Sequence, residues 1–520
     1  MGGFYNPFIS EISLIKHSMF SGETSLKKHS PLFIPISISC CVQIIEKCDI
    51  MQHIPMNFVI LQLDIRGIFV IKRLRRKIDA LLADWAANEE HMPLIIKGAR
   101  QIGKTEAISY FAGQHYRNVI VINFVLQKEY RSIFADGYEV NAILRNISFL
   151  NPALKLEPGN TLIFFDELQA CPDCATSLKA FGLDGRYDVI CSGSLMGINY
   201  KEIESNSVGF KEDITMYPLD FEEYLWAKGY SDEQVEILYQ HMKDLKPLPG
   251  TAMSVLGEAF REYMILGGMP AVVWSFIQKG NYSGTLAMQK QLLLDYEEDI
   301  TKYAHSLDQT KILNVYRKIP VFLGKDNKKF QISKVAHGAR SREYVGVADW
   351  LGNAGIVNIC YCLEHPELPL KGNFDPDNYR MYYGDTGLLI ASLDDEAQAD
   401  LRQNRNFGVY KGALFENIVA QMLVAQGYGL YFFRNRTATL EMDFFIRDAD
   451  SLIPVEVKSA NGATKSLNAL IDNDAYPDIK HGIKLCDANI GYNGKFITFP
   501  YALTFLLKRW IMERIKDKTS

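Results

Sequence analysis

Gly98-Ala99-Arg100-Gln101-Ile102-Gly103-Lys104-Thr105 is the stretch on which the reading of this chain turns. It has the spacing GxxxxGK[ST]. The glycines let the backbone curl until its N–H groups face phosphate oxygens. Lys104 then reaches the β- and γ-phosphates as a point charge, and Thr105 ligates Mg²⁺. The helix that follows adds the positive end of its dipole. In a chain of 520 residues the pattern arises by chance in about 2% of cases at average residue usage. Its surroundings lower that figure, because the apolar Leu94–Ile96 comes directly before it and a helical stretch, Glu106–Gly113, directly after.

A triphosphate site of this kind needs a carboxylate at the end of a neighbouring strand. Thr161-Leu162-Ile163-Phe164-Phe165-Asp166-Glu167 supplies it. Asp166 is placed to hold Mg²⁺ through water. Glu167 projects toward the γ-phosphate and polarises the attacking water. The alternative, a solvated Asp-Glu turn, sits badly behind so apolar a run. Ser192-Gly193-Ser194 ends the next such run, and its hydroxyls either sense the γ-phosphate or belong to a plain turn.

Five segments read as strands: Leu94–Ile96, Val119–Phe124, Thr161–Phe165, Asp188–Cys191 and Ile214–Tyr217. They are short, apolar and often β-branched, as strands buried on both faces are, and helical segments separate them. That alternation predicts a parallel α/β sheet. Ahead of it, Arg73–Leu82 reads as an amphipathic helix. After Pro218 the pattern becomes helical, most clearly at Phe221–Ala227, Gly257–Leu266 and Ser283–Tyr303.

The length exceeds one ordinary domain, and 48% hydrophobic with 12% aromatic residues is enough for packed cores. Charge is nearly balanced, 56 basic against 61 acidic residues, which argues against a chain-wide nucleic-acid surface but not against a local basic patch. The nine cysteines are scattered, and Cys171 and Cys174 form a lone CxxC read as reduced thiols. That usage fits a reducing cytoplasm. No apolar run reaches the roughly 18 residues of a membrane span. Residues 1–65 show no clean period and read as a leader, disordered or translated from a start set too early.

The phosphate loop, Phe165-Asp166-Glu167-Leu168-Gln169, Ser192-Gly193-Ser194 and Pro218-Leu219-Asp220-Phe221-Glu222-Glu223-Tyr224 together resemble the predicted AAA+ ATPases of bacteria and archaea. So do Gly267-Gly268-Met269-Pro270, Gly384–Leu388 and Gly412–Asn417. The resemblance runs from about residue 70 to 515. It implies an AAA-type ATPase domain followed by a C-terminal domain of unassigned function. One departure stands out. Relatives carry a Gly-Arg pair before the Pro-Leu-Phe-like segment, and here the chain reads Gly209-Phe210-Lys211. Lys211 would replace an arginine finger without its fork geometry.

Two further patterns follow. Phe330–Ala336 reads as a helix capped by Ser333, Gly338 as a turn and Arg342–Ala354 as a second helix. Ile356–Leu363 then reads as a strand and Pro366–Pro369 as a wing tip. Helix–turn–helix plus wing is a DNA-binding shape, and Lys328, Lys329, Lys334, Arg340 and Arg342 add positive charge. A protein-docking module has the same shape. Beyond it, Glu416 sits on a helix, Gly412–Leu423, Asp443 on one strand-like run, and Glu456 and Lys458 on the next. This resembles the D…ExK pattern of restriction-endonuclease-like folds. There the carboxylates of Glu416, Asp443 and Glu456 would hold a second Mg²⁺, and Lys458 would orient the attacking water. An exposed salt-bridged hairpin, or a nuclease fold kept as a binding platform, are the alternatives.

The expected fold is α/β. A P-loop NTPase sheet of the AAA+ type spans 66–230 and a helical lid 231–305. A winged-helix module follows at 306–375, and a restriction-endonuclease-like domain at 376–520. The expected function is ATP hydrolysis with Mg²⁺, coupled to a module that acts on duplex DNA. The alternative is a signalling switch whose C-terminal domain docks a protein. The expected site is cytoplasmic, with ring formation left open.

Overall fold

Alternating side chains on five short strands build the first layer. The computed structural model describes residues 73–519, except 195–206, 305–308, 326–327, 336–339, 404, 406–409 and 459–461. Ahead of them it describes only Ile60–Leu63 paired antiparallel with Phe69–Lys72, so the rest of the leader expected at 1–65 lies outside the described residues. The strands are β1 (Leu94–Gly98), β2 (Asn118–Asn123), β3 (Thr161–Asp166), β4 (Asp188–Ser194) and β5 (Glu212–Thr215). They form a parallel sheet in the order β2-β3-β4-β1-β5. Helices α1 (Lys77–Ala87), α2 (Lys104–His115), α3 (Val140–Leu150) and α4 (Pro172–Asp184) cover it.

Successive residues of a strand face opposite ways. Leu94, Ile96, Leu162, Phe164 and Ile190 therefore pack with α1, α2 and the lid. Ile95, Ile163, Phe165, Val189 and Cys191 pack with α3 and α4. Cys171 and Cys174 are buried, free thiols in that second cluster. Register sets what meets at the C-terminal edge: Gly98 lies opposite Ser194, and Asn123 opposite Asp166.

Next comes α5 (Phe221–Ala227), and the stretch expected as the lid holds α6 (Asp232–Lys243), α7 (Gly250–Leu266), α8 (Pro270–Lys279) and α9 (Thr285–Tyr303). After it come α10 (Gln309–Leu323), α11 (Val347–Asn353), β6 (Val357–Leu363) and β7 (Phe374–Tyr383). The winged-helix expectation needs correction here. The first expected helix is a single 3-10 turn, Ile332–Lys334, and Gly338 lies outside the described residues. The second is only α11, behind another 3-10 turn at Ser341–Glu343. The hairpin forms, but β6 also pairs in parallel with β8 (Leu430–Arg434). The boundary drawn at 375/376 thus falls inside β7, because the β6–β8 pairing, Cys360 with Leu430, leaves no local trace in sequence.

The remaining elements are α12 (Thr386–Ala391), α13 (Ala397–Arg402), α14 (Tyr410–Ala425), β9 (Glu441–Met442), β10 (Phe444–Arg447), β11 (Leu452–Val457) and α15 (Lys465–Ile471), then β12 (Gly482–Cys486), β13 (Gly491–Tyr492), β14 (Phe496–Pro500) and α16 (Leu507–Thr519). They complete two sheets, β9-β8-β6-β7 and β10-β11-β12-β14-β13. Among the described residues no helix is long and apolar enough to cross a membrane.

A buried junction ties the first sheet, the lid and the C-terminal half together. Asp385 caps α12, its Oδ1 accepting from the Leu388 N–H at 3.0 Å and its Oδ2 from the Gly268 N–H at 2.6 Å. The Gly268 carbonyl accepts from the Leu219 N–H at 2.7 Å. A Cβ on Gly268 would lie 2.0 Å from the Leu219 carbonyl oxygen, so only glycine fits. Burial pushes the Asp385 carboxyl up to about 6, against three backbone N–H groups that pull it down.

That shift has a stability consequence. A carboxyl raised above its unfolded value of about 3.9 stabilises the fold fully below that value and loses the contribution as pH rises through about 6. Asp385→Asn keeps an acceptor and removes the titration. Between pH 7 and pH 4 the wild type should gain roughly 2–3 kcal/mol relative to that variant. Denaturant melts of both across the range check this, and a constant difference would rule it out.

Candidate functional site

The phosphate loop joins β1 to α2 by a backbone that few residues tolerate. Gly103 has φ 90°, Gln101 φ 61°, and a Cβ on Gly98 would meet the Met216 carbonyl oxygen at 2.4 Å. Arg76 braces it from behind. Its buried guanidinium donates to the carbonyls of Ile102 at 2.8 Å and Tyr217 at 2.7 Å, and pairs with Glu223 at 3.1 Å. The sequence reading took Arg76 as one more charge on an amphipathic helix.

Lys104 Nζ donates to the carbonyls of Ala99 at 2.7 Å and Gly98 at 3.1 Å. Burial lowers its amine to about 8; Glu167 and Asp166 oppose the shift and Arg100 adds to it. Two cations held this closely in a partly dry site favour an anion between them. Thr105 Oγ1 lies 3.3 Å from Asp166 Oδ2. Asp166 also accepts from Asn123 Nδ2 at 3.0 Å and from the Ser192 hydroxyl. The Thr105 hydroxyl and the Asp166 carboxylate are hard oxygen donors converging on one point, a set that suits Mg²⁺. Glu167 follows with φ 60°, a strained conformation for a non-glycine residue, and accepts from Gln169 Nε2. The Ser194 N–H donates to Gln169 Oε1 at 3.2 Å.

A cavity of about 500 Å³ lies over the loop, lined by Lys104, Thr105, Asp166, Glu167, Ser192 and Ser194. The lid contributes Pro270, Trp274 and Asp299 to the same cavity. Lys211 is not part of it. It pairs with Asp213 and directly precedes Glu212, which lies opposite Leu94 at the far end of β1 from the loop.

The C-terminal acidic set is assembled differently from expectation. Phe444 pairs with Val455, which sets Asp443 beside Glu456, and Asp443 Oδ2 accepts from the Val457 N–H at 2.9 Å. Glu416 on α14 is near enough to join burial in raising the Asp443 carboxyl. Between them stands Arg380 of β7, which the sequence reading missed. It is 1% exposed, with Nη1 3.8 Å from Glu416 and 4.0 Å from Asp443, and Nη2 on Glu441. Its guanidinium stacks 4.0 Å over the Phe432 ring. Lys328 pairs with Glu416, so this lysine faces a carboxylate and not a nucleic-acid phosphate. Lys458 Nζ pairs with Glu456 at 2.7 Å.

Among the described residues no group of three or more His, Cys, Asp or Glu side chains is arranged to hold a metal. Glu416, Asp443 and Glu456, the expected ligand set, do not form such a group there. Arg380 and Lys328 supply the positive charge at Glu416 and Asp443, and Lys458 supplies it at Glu456. A lone arginine in the apolar run Tyr379-Arg380-Met381-Tyr382-Tyr383 was the signal that pointed to a buried, paired charge.

Comparison with known proteins agrees with this order of parts. Residues 90–225 match the AAA domain profile. Residues 257–399 and 411–502 match a domain of unknown function (DUF8612) and another (DUF4143). An uncharacterized protein of Methanocaldococcus jannaschii, MJ1544, is 24% identical over 249 residues, 47% of this chain and 49% of that one. The match thus spans about half of that relative's length. Among solved structures, the walker-type ATPase of Pyrococcus abyssi aligns with TM-score 0.38 and 13% identity, over 64% of this chain and 98% of that one. The Thermotoga maritima RuvB Holliday junction branch migration motor aligns with TM-score 0.28 and 11% identity, over 64% and 96%.

Proposed function

We propose, from the premise that this chain carries an AAA domain at residues 90–225, that it is an ATPase whose nucleotide cycle repositions its C-terminal half. One observation carries the reading: Lys104, Thr105, Asp166 and Glu167 line a single cavity that the lid also lines. Lys104 and the loop N–H groups hold the β- and γ-phosphates. Thr105 and Asp166 would hold Mg²⁺, which would supply charge to neutralise the phosphates. Glu167 takes the proton of the attacking water, and Ser192 and Ser194 orient the terminal phosphate.

In this reading the C-terminal cluster is a docking platform and not a cutting site, since Arg380 pairs with Glu416 and Asp443, and Lys458 with Glu456. The partner is then a protein. Duplex DNA is the second reading, favoured by the exposed Lys334, Arg340 and Arg342 beside α11.

Phosphate release by the purified chain, with and without duplex DNA and with Lys104→Ala as the blank, tests both. Loss of Lys104 should weaken ATP binding about 10- to 100-fold. Unchanged ATP affinity in Lys104→Ala would place the nucleotide elsewhere. Stimulation by DNA would move the assignment to the second reading, and a basal rate indifferent to DNA supports the first.

A further inference from the structure

Arg100 sends its charged side chain out of the loop. Its Nη1 pairs with Asp299 of α9 at 2.8 Å, and its Nη2 donates to the Tyr303 hydroxyl at 2.7 Å. The neighbouring backbone and side chain follow the same course. The Tyr296 hydroxyl donates to the Arg100 carbonyl at 3.2 Å, and Gln101 Nε2 to Asp295 at 2.8 Å. One face of α9 is thus fastened to the phosphate loop by four contacts, and Arg100 makes the charged one.

The pairing is incomplete on both sides. Arg100 Nε is buried without a hydrogen-bond partner, and so is Asp299 Oδ2. Asp299 is 5% exposed and lines the same cavity as Lys104 and Glu167. A terminal phosphate beside Lys104 would carry about two negative charges and three acceptor oxygens. It competes well against a single carboxylate for a guanidinium, whose fork fits either.

We infer that Arg100 is a two-position sensor of the terminal phosphate, exchanging Asp299 and Tyr303 of α9 for the γ-phosphate of ATP. The inference deepens the ATPase reading and rests on it. It assigns a cationic role to this chain's own loop, in a cavity that Lys211 does not line. The exchange strips Asp299 of its cation, and a buried carboxylate left unpaired drives its helix to move. That helix reaches the junction directly, because Gln289 Nε2 donates to the carbonyls of Ile265 at 3.0 Å and Leu266 at 2.9 Å. Gln398 of α13 in turn donates to Gln289. ADP, lacking the terminal phosphate, leaves Arg100 on α9.

Equilibrium binding of ADP and of a non-hydrolysable ATP analogue to the full chain tests this. Arg100→Ala should weaken the analogue about 10- to 100-fold while ADP stays within about twofold. Asp299→Asn, which removes the competitor, should tighten the analogue several-fold more than ADP. Arg100→Ala leaves Asp299 buried and unpaired, so the double variant Arg100→Ala/Asp299→Asn guards against misfolding and must show the same lost preference. Equal weakening of both nucleotides, or of neither, would overturn the sensor and leave the ATPase reading standing. A wild-type chain that binds neither nucleotide would overturn the reading itself.

Discussion

Glu167→Gln is expected to bind ATP with wild-type affinity and to hydrolyse it about 10²- to 10⁴-fold more slowly, the usual worth of a positioned general base. The amide is nearly isosteric, so the cavity keeps its shape, but it cannot take a proton from water. Asp166 keeps its bonds to Asn123 and Ser192, and the Mg²⁺ donors stay in place. Binding and turnover should therefore separate cleanly in this variant, whereas Lys104→Ala loses both. Single-turnover phosphate release beside equilibrium binding measures the split. Wild-type turnover in Glu167→Gln would move the base to another residue of the cavity.

Arg380→Met should be the most destabilising single change in the C-terminal half, by about 3–5 kcal/mol. The methionine fills similar space against Phe432 and leaves Glu416, Glu441 and Asp443 short of their shared cation. Burial and Glu416 already raise the Asp443 carboxyl, so part of the loss will appear as proton uptake. Adding Glu416→Gln to Arg380→Met should recover stability, because the charge most directly opposed to Asp443 is then gone. Thermal melts of the three proteins, with hydrogen exchange to locate the loosened sheet, provide the measurement. A melting temperature unmoved by Arg380→Met would mean the cluster is solvated and the platform reading is wrong.

The grouping of the candidate site's residues was readable in sequence because its parts are local. Each lies at the end of an apolar run, and a parallel sheet with this order brings those ends together. The strands themselves came within three residues of their observed ends. What stayed hidden depends on partners far along the chain. Arg100 carried a place in the loop but no hint of Asp299, 199 positions on. Asp385 and the Gly267-Gly268 turn looked notable and unexplained until the fold set them 117 positions apart in chain and 2.6 Å apart in space. The wing was misread for the same reason: a hairpin looks self-sufficient in sequence, and β6 takes a second partner from beyond α14. Spacing put Asp443 and Glu456 on adjoining strands, as the register has them, but no spacing rule announces the arginine between Asp443 and Glu416.

The Gly268–Asp385 bond also sets an order of assembly during synthesis. The first sheet and most of the lid have left the ribosome once residue 268 emerges, yet the turn at Gly268 has no acceptor for its N–H until Asp385 follows, 117 residues later. At about 5–20 residues per second that is an interval on the order of ten seconds. During it the nascent chain holds a complete phosphate loop while the turn at Gly268 is not yet tied to α12. On the proposed function, nucleotide captured then would meet a site with no route through that bond to the C-terminal half.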